Sequence, residues 1–159
     1  MPRCVLDTSI CVDLANAGLL QVALRLSHTL ELPDVIAEEL KEPPGSSLVE
    51  LGFGTVSLPD VQEVATLVEK YRKPSTNDLF ALACAKGNEC ILLTGDADLR
   101  KAAEIEKVEV HGILWVLDEL VKEGVLSPVD AVTSLERVIA GGSWLPQQEC
   151  EERLKRWRE

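Results

Sequence analysis

The segment Cys90-Ile91-Leu92-Leu93-Thr94 is nearly unbroken apolar sequence and stops at Gly95-Asp96-Ala97-Asp98. An apolar run this short with no polar face fits a strand whose sheet is covered by helices on both sides. The rest of the chain alternates accordingly. Short apolar or β-branched runs from Arg3 to Leu6, Thr29 to Leu32, Phe53 to Leu58 and Val108 to His111 read as further strands. Between them, apolar residues recur at helical spacing: Ile10, Leu14, Ala17, Leu20 and Leu24 after a Ser9 cap; Val35, Ile36 and Leu40 after Pro33-Asp34; then Val61 to Tyr71, Asp78 to Lys86 and Leu99 to Ile105. Pro59-Asp60 closes the third strand, Gly87-Asn88 ends a helix, and Glu42-Pro43-Pro44-Gly45-Ser46-Ser47 reads as an exposed loop. Strand and helix in regular alternation predict an α/β fold, a three-layer α/β/α sandwich around a central parallel sheet. Leu114, Leu117, Leu120, Val121, Val132, Leu135 and Val138 extend it as a helical C-terminal tail.

With 159 residues, 46% of them hydrophobic, the chain is the size of one domain and buries a core without disulfides. The start, Met1 to Leu6, is too short an apolar run for a signal peptide, and no later segment spans a membrane, so a soluble, cytoplasmic protein is expected. Cys4, Cys11, Cys84, Cys90 and Cys150 lack metal-binding spacing and are odd in number, which fits inert core thiols. The net charge of −11 excludes broad electrostatic capture of nucleic acid. Any such chemistry is local, with cations neutralising the site and a small basic patch holding substrate. Lys70-Tyr71-Arg72-Lys73, Arg100-Lys101 and the Arg153, Lys155, Arg156, Arg158 end supply the basic clusters, each of which reads first as a solvated helix face or tail.

In open parallel sheets, functional groups gather at the carboxyl ends of the strands. Asp7 ends the first strand, Asp96 and Asp98 follow the central one, Asp78 opens the helix before it, and Glu39 lies one turn into the helix after the second. Taken singly, these are ordinary helix caps, turn formers or solvent-facing acids. Asp7 is the exception, because an acid directly after a buried strand requires a partner. Jointly they make an oxygen-rich acidic cluster, which repels itself unless a hard cation such as Mg²⁺ or Mn²⁺ neutralises it.

Four segments resemble, in order, the motifs of the PIN-domain family: Val5-Leu6-Asp7-Thr8-Ser9, Pro33 to Leu40, Asn77 to Ala83, and Leu93 to Leu99. The resemblance runs from Cys4 to Val110, and the tail to Trp144-Leu145-Pro146 is similar to the helical end of prokaryotic stand-alone PIN proteins, many of them toxin ribonucleases. It implies a domain over residues 1–146, with 147–159 as a helical tail in or against it. It implies Asp7, Glu39, Asp78 and Asp96 as catalytic acids, with Asp7, Asp78, Asp96 and auxiliary Asp98 toward the metal. Thr8, Ser9 and Thr94 match the polar residues that orient the acids. Glu38 beside Glu39 leaves a one-residue ambiguity, resolved for Glu39 because it precedes Leu40. Gly95 departs from the family, standing where many members have a polar residue.

The implied activity is Mg²⁺- or Mn²⁺-dependent hydrolysis of RNA by an endoribonuclease, with Arg72, Lys73 and Arg100 near the substrate phosphates. An antitoxin partner and a homodimer are expected, the dimer because the C-terminal half carries more apolar helical surface than one small sheet needs. The alternative is a catalytically silent PIN-like binding or assembly module. A phosphoaspartate enzyme or receiver domain also places an aspartate after strand one, but Asp7-Thr8-Ser9 lacks the second aspartate and no lysine follows a late strand. No glycine-rich phosphate loop supports nucleotide binding. Trp115, amid Ile113, Leu114 and Leu117, reads as core; Trp144 and Trp157 read equally as core or interface.

Overall fold

The computed structural model describes residues 2–58 and 60–159. Five strands, β1 (Arg3–Leu6), β2 (Thr29–Pro33), β3 (Gly54–Val56), β4 (Ile91–Leu93) and β5 (Val110–His111), form one all-parallel sheet in the order β3-β2-β1-β4-β5. The order reverses between β1 and β4. That reversal opens a crevice beyond the carboxyl ends of these two strands. Their register sets Leu6 opposite Leu93, and the Asp7 amide donates to the Leu93 carbonyl at 3.1 Å, so the residues after both strands leave the sheet side by side.

Side chains alternate between two helical layers, as the period of a strand requires. Cys4, Leu6, Leu30, Leu32 and Leu93 face one core, shared with α1 (Thr8–Asn16), α2 (Leu20–Ala23), α4 (Gly45–Leu51), α8 (Ile113–Lys122), α9 (Pro128–Ala140) and α10 (Gln147–Arg158). Val5, Val56 and Leu92 face the other, shared with α3 (Asp34–Glu39), α5 (Val61–Lys70), α6 (Thr76–Gly87) and α7 (Ala97–Ile105). The predicted three-layer sandwich is the observed one.

Several local expectations change. The first predicted helix is two, parted at Ala17-Gly18-Leu19, where Gly18 takes φ +70°. Its cap is Asp7 rather than Ser9. Of the predicted loop 42–47, Gly45-Ser46-Ser47 form the first turn of α4. Glycine and serine disfavour helix, but tertiary packing overrides them: Leu48 is fully buried, and a side chain at Gly45 would drive a Cβ to 1.9 Å from the Ala37 carbonyl oxygen. Pro59, read as the end of the third strand, lies outside the described residues.

The tail forms three helices that belong to the same body. Trp157 and Cys150 of α10 are buried in the core that also holds Leu6 and Ile10. The apolar surface of α8 and α9 that argued for self-association is therefore largely used within the chain, leaving Val129 and Ile139 as exposed large apolar residues of α9. All five cysteines are buried and free, and burial pushes the Cys4, Cys11 and Cys84 thiols up to about 12, so they stay protonated near neutrality. Among the described residues no helix is long and apolar enough to cross a membrane.

One polar hub ties the outer layer together. Glu106, just past α7, accepts from Lys70 at 2.7 Å, from Lys86 at 2.9 Å, and from the Tyr71 hydroxyl. Burial alone raises its pKa, but the bonds from Lys70, Tyr71 and Lys86 outweigh that and hold it at about 2. Because the folded value is depressed, this stabilisation is present above the ordinary value near 4.5 and is lost as pH falls toward 2. Glu106→Gln is expected to lower stability by about 1–2 kcal/mol at pH 7, after allowing for solvent screening of the exposed lysines. Urea denaturation should show that difference shrinking by pH 3.

Candidate active site

Asp7 is the centre of the crevice and is only 1% exposed. Its Oδ1 accepts from the Ser9 hydroxyl at 2.7 Å and from the Ile10 amide at 3.1 Å, while its Oδ2 accepts from the Thr94 hydroxyl. Of the roughly four acceptor positions of a carboxylate, three are filled and one remains on Oδ2. Burial is the largest influence on this group and pushes its pKa up to about 6, against the lowering effect of the three donors; the negative charge of Asp78 adds to the rise.

Thr94 and Ser9 join the β1 and β4 loops. The Thr94 hydroxyl is fully buried and, while donating to Asp7, accepts from the Asp96 amide at 3.0 Å. The Ser9 hydroxyl likewise accepts from the Gly95 amide at 2.8 Å while donating to Asp7. A hydroxyl is the group that serves here, because it donates and accepts at once. Thr8, the third residue expected to orient the acids, is exposed on the first turn of α1, with no side-chain hydrogen bond among the described residues.

The other aspartates stand at helix amino termini on the same edge. Asp96 caps α7, its Oδ1 accepting from the Leu99 amide at 2.9 Å. Asp78 completes a capping box on α6, accepting from the Ser75 amide through Oδ2 at 3.1 Å. The ordinary capping roles weighed for these residues are thus real, and each still leaves its second oxygen clear of the cap. Asp98 lies half-buried in the first turn of α7. Glu39, at the end of α3, is exposed and accepts from the Asn77 amide group through Oε2 at 2.7 Å, which ties it to the residue preceding Asp78. Among the described residues, no three histidine, cysteine, aspartate or glutamate side chains stand close enough to grip one ion between them.

A model of the PIN-domain family matches residues 3–159. The chain belongs to the PIN-domain family. Its general activity is accordingly of the nuclease type, hydrolysis of phosphodiester bonds. None of the curated proteins compared with this chain matches it.

Of the basic residues placed near substrate, exposed Arg72 and Lys73 lie on the turn before the α6 cap, and exposed Arg100 lies on α7 with its guanidinium against Gly112. Two residues of this PIN domain's crevice escaped the sequence reading. Asn77 lies within the third motif segment but had no role until Glu39 was seen on it. Asp13, one turn after Ser9, is 3% exposed, raised in pKa by burial, and takes a hydrogen bond from the Ser143 hydroxyl. Its signal was an acid on the face of α1 that otherwise carries Ile10 and Leu14.

The raised pKa of Asp7 has a stability consequence. A carboxyl whose folded value lies above its ordinary 3.8 favours the fold most when neutral, and that contribution is lost as pH rises through about 6. With a chelator present at pH 7.5, Asp7→Asn is therefore expected to raise stability by about 1–2 kcal/mol, whereas Thr94→Val, which removes a donor to a buried charge, should lower it by a similar amount. Paired denaturation curves check both signs.

Proposed function

We propose that this PIN domain is an endoribonuclease dependent on Mg²⁺ or Mn²⁺, and that it acts as the toxin of a toxin–antitoxin pair. The observation that carries the nuclease reading is the placement of Asp7, Asp96 and Asp78 around the point where the strand order reverses, with Asp7 oriented by Thr94 and Ser9. Oxygen-only donors of this kind suit a hard cation. Mg²⁺ sites commonly use one or two carboxylates and several waters rather than a full protein cage, so well-separated acids that each keep an acceptor position open are compatible with such a site.

When bound, the cation supplies Lewis-acid stabilisation of charge developing on the phosphodiester. Asp7 and Asp96 are the carboxylates that would hold it. The buried hydroxyl of Thr94 and the half-buried one of Ser9 keep Asp7 from turning away, and the α7 cap does the same for Asp96. Asp78 and Glu39, the latter steadied by Asn77, would hold waters of the cation or help position the attacking one. Arg72, Lys73 and Arg100 are positioned to take flanking phosphates, a local answer to the net charge of −11.

Labelled RNA incubated in parallel with EDTA, Mg²⁺ and Mn²⁺ tests this reading. Cleavage is expected with either cation and not with EDTA. Asp7→Asn, Asp78→Asn and Asp96→Asn are each expected to lower the rate by about a hundredfold or more with the fold intact, and Asp98→Asn by less. Full activity in Asp7→Asn, with unchanged circular dichroism, would contradict the mechanism. No cleavage under any condition would leave a binding or assembly module.

The same reading includes a homodimer, for which exposed Val129 and Ile139 of α9 are the apolar surface left on that helix, and whose two acidic edges and sparse basic residues would share one groove. Light scattering should give about twice the monomer mass of 17.4 kDa; a monomer that retains activity would count against the pair.

A further inference from the structure

A second feature opens directly from the catalytic edge. Thr94, which donates to Asp7, and Gly95, whose amide donates to Ser9, also line a cavity of about 360 Å³ between the β4–α7 turn, the start of α8 and the segment leading into α10. Its volume falls within the range of small-ligand sites. Its two sides differ in chemistry.

On the α10 side stands Trp144, 80% exposed. A free indole of that size at the surface is unusual, and its backbone is not loose. Ser143 is hydrogen-bonded to the buried carboxylate of Asp13, and Leu145 packs against the core. The second tryptophan of the cavity, Trp115, is already engaged: His111 stacks on it at 4.5 Å with planes 8° apart, and His28 meets it edge-on at 5.4 Å. Trp144 is the aromatic face left open.

On the β4 side lies Arg100. It crosses Gly112 so closely that a Cβ there would come within 2.9 Å of its Nη2, and it has no carboxylate partner among the described residues. The other arginine of the cavity, Arg153, is held by Asp118 at 2.8 Å. Glu149 sits in the first turn of α10, on the tryptophan side, where its charge disfavours a phosphate but not a neutral base.

We infer that this cavity is a nucleotide subsite, in which an unpaired base of single-stranded RNA stacks on Trp144 while its phosphate, on the side toward Asp7, pairs with Arg100. The choice of RNA over a protein partner rests on the ribonuclease reading above, on continuity with the Thr94-Gly95 edge, and on the division into an aromatic side and a cationic side. Stacking of this kind accepts any base and does not need a broadly basic surface. It gives a strongly acidic protein a way to hold RNA by one base and one phosphate at a time.

The probe is a ten-nucleotide oligoadenylate RNA, with a base-free ribose-phosphate chain of the same length as control. Binding is measured on the full chain carrying Asp78→Asn, so that cleavage does not consume the probe. The RNA is expected to quench tryptophan emission, and the base-free chain to bind at least tenfold more weakly. Trp144→Ala should abolish most of the quench and weaken binding by about tenfold, while Trp144→Phe stays within about threefold. Arg100→Gln should reduce the dependence of log affinity on log salt by about 0.7, one phosphate's share on a single strand. Because Trp144 is exposed, these variants leave the core untouched.

Equal affinity of Trp144→Ala and its parent for the RNA overturns the subsite, even if the wild type cleaves RNA normally. Trp144-dependent binding without cleavage in Mg²⁺ or Mn²⁺ sustains the subsite and overturns the nuclease reading. No RNA-dependent change in emission overturns the proposal and assigns the groove to a protein partner.

Discussion

The hydrogen bond from Thr94 to Asp7 connects residues 87 positions apart, and the arrangement of the crevice follows from it. A carboxylate at the end of a buried strand is costly unless donors meet it. Parallel pairing of β1 with β4 brings Thr94 to the place where it can be met, and the same hydroxyl then accepts from the Asp96 amide. Ser9 repeats the device between Asp7 and Gly95. Two hydroxyls thus lock two loops together at the point where the strand order turns, and they fix the orientation of the acids as a consequence of fixing the loops.

This arrangement reconciles stability with function. Asp96 and Asp78 each use one oxygen to cap a helix and keep the other clear of the cap. Asp7 is nearly saturated with donors yet still disfavoured as an anion, because burial outweighs them and Asp78 adds its charge. A site with that balance gains from a cation. Under the proposed ribonuclease reading, such local compensation is also how a chain of net charge −11 would engage RNA, with positive charge supplied at the reacting phosphate and by a few arginines rather than by the whole surface.

The parts of the fold legible in the sequence are those where local pattern and tertiary demand agree. The apolar run through Leu92 and Leu93 marks a strand covered on both faces, and the acids after β1 and β4 fall at the sheet edge because parallel topology leaves them nowhere else. What was not legible depends on contacts across the chain. Gly45-Ser46-Ser47 looks like a loop until Leu48 has a core to enter and α3 passes against Gly45. Ser9 looks like a cap, but its hydroxyl is drawn to Asp7 and Gly95, and Asp7 takes the capping role instead. The surface of α8 and α9 looks excessive for one sheet until α10 is seen closing over it with Trp157. Asp13 is unremarked as one acid among many, and gains meaning only through Ser143, 130 positions away.

The central claim is that Asp7 is a buried carboxylate held ready for a cation. The most direct test is a carbon-13 NMR titration of the aspartate carboxyls, with Asp7→Asn identifying the resonance. In the metal-free protein the account predicts a midpoint near 6, well above the ordinary value, and a fall of that midpoint when Mg²⁺ is added. A midpoint near 4 that Mg²⁺ leaves unchanged would contradict it.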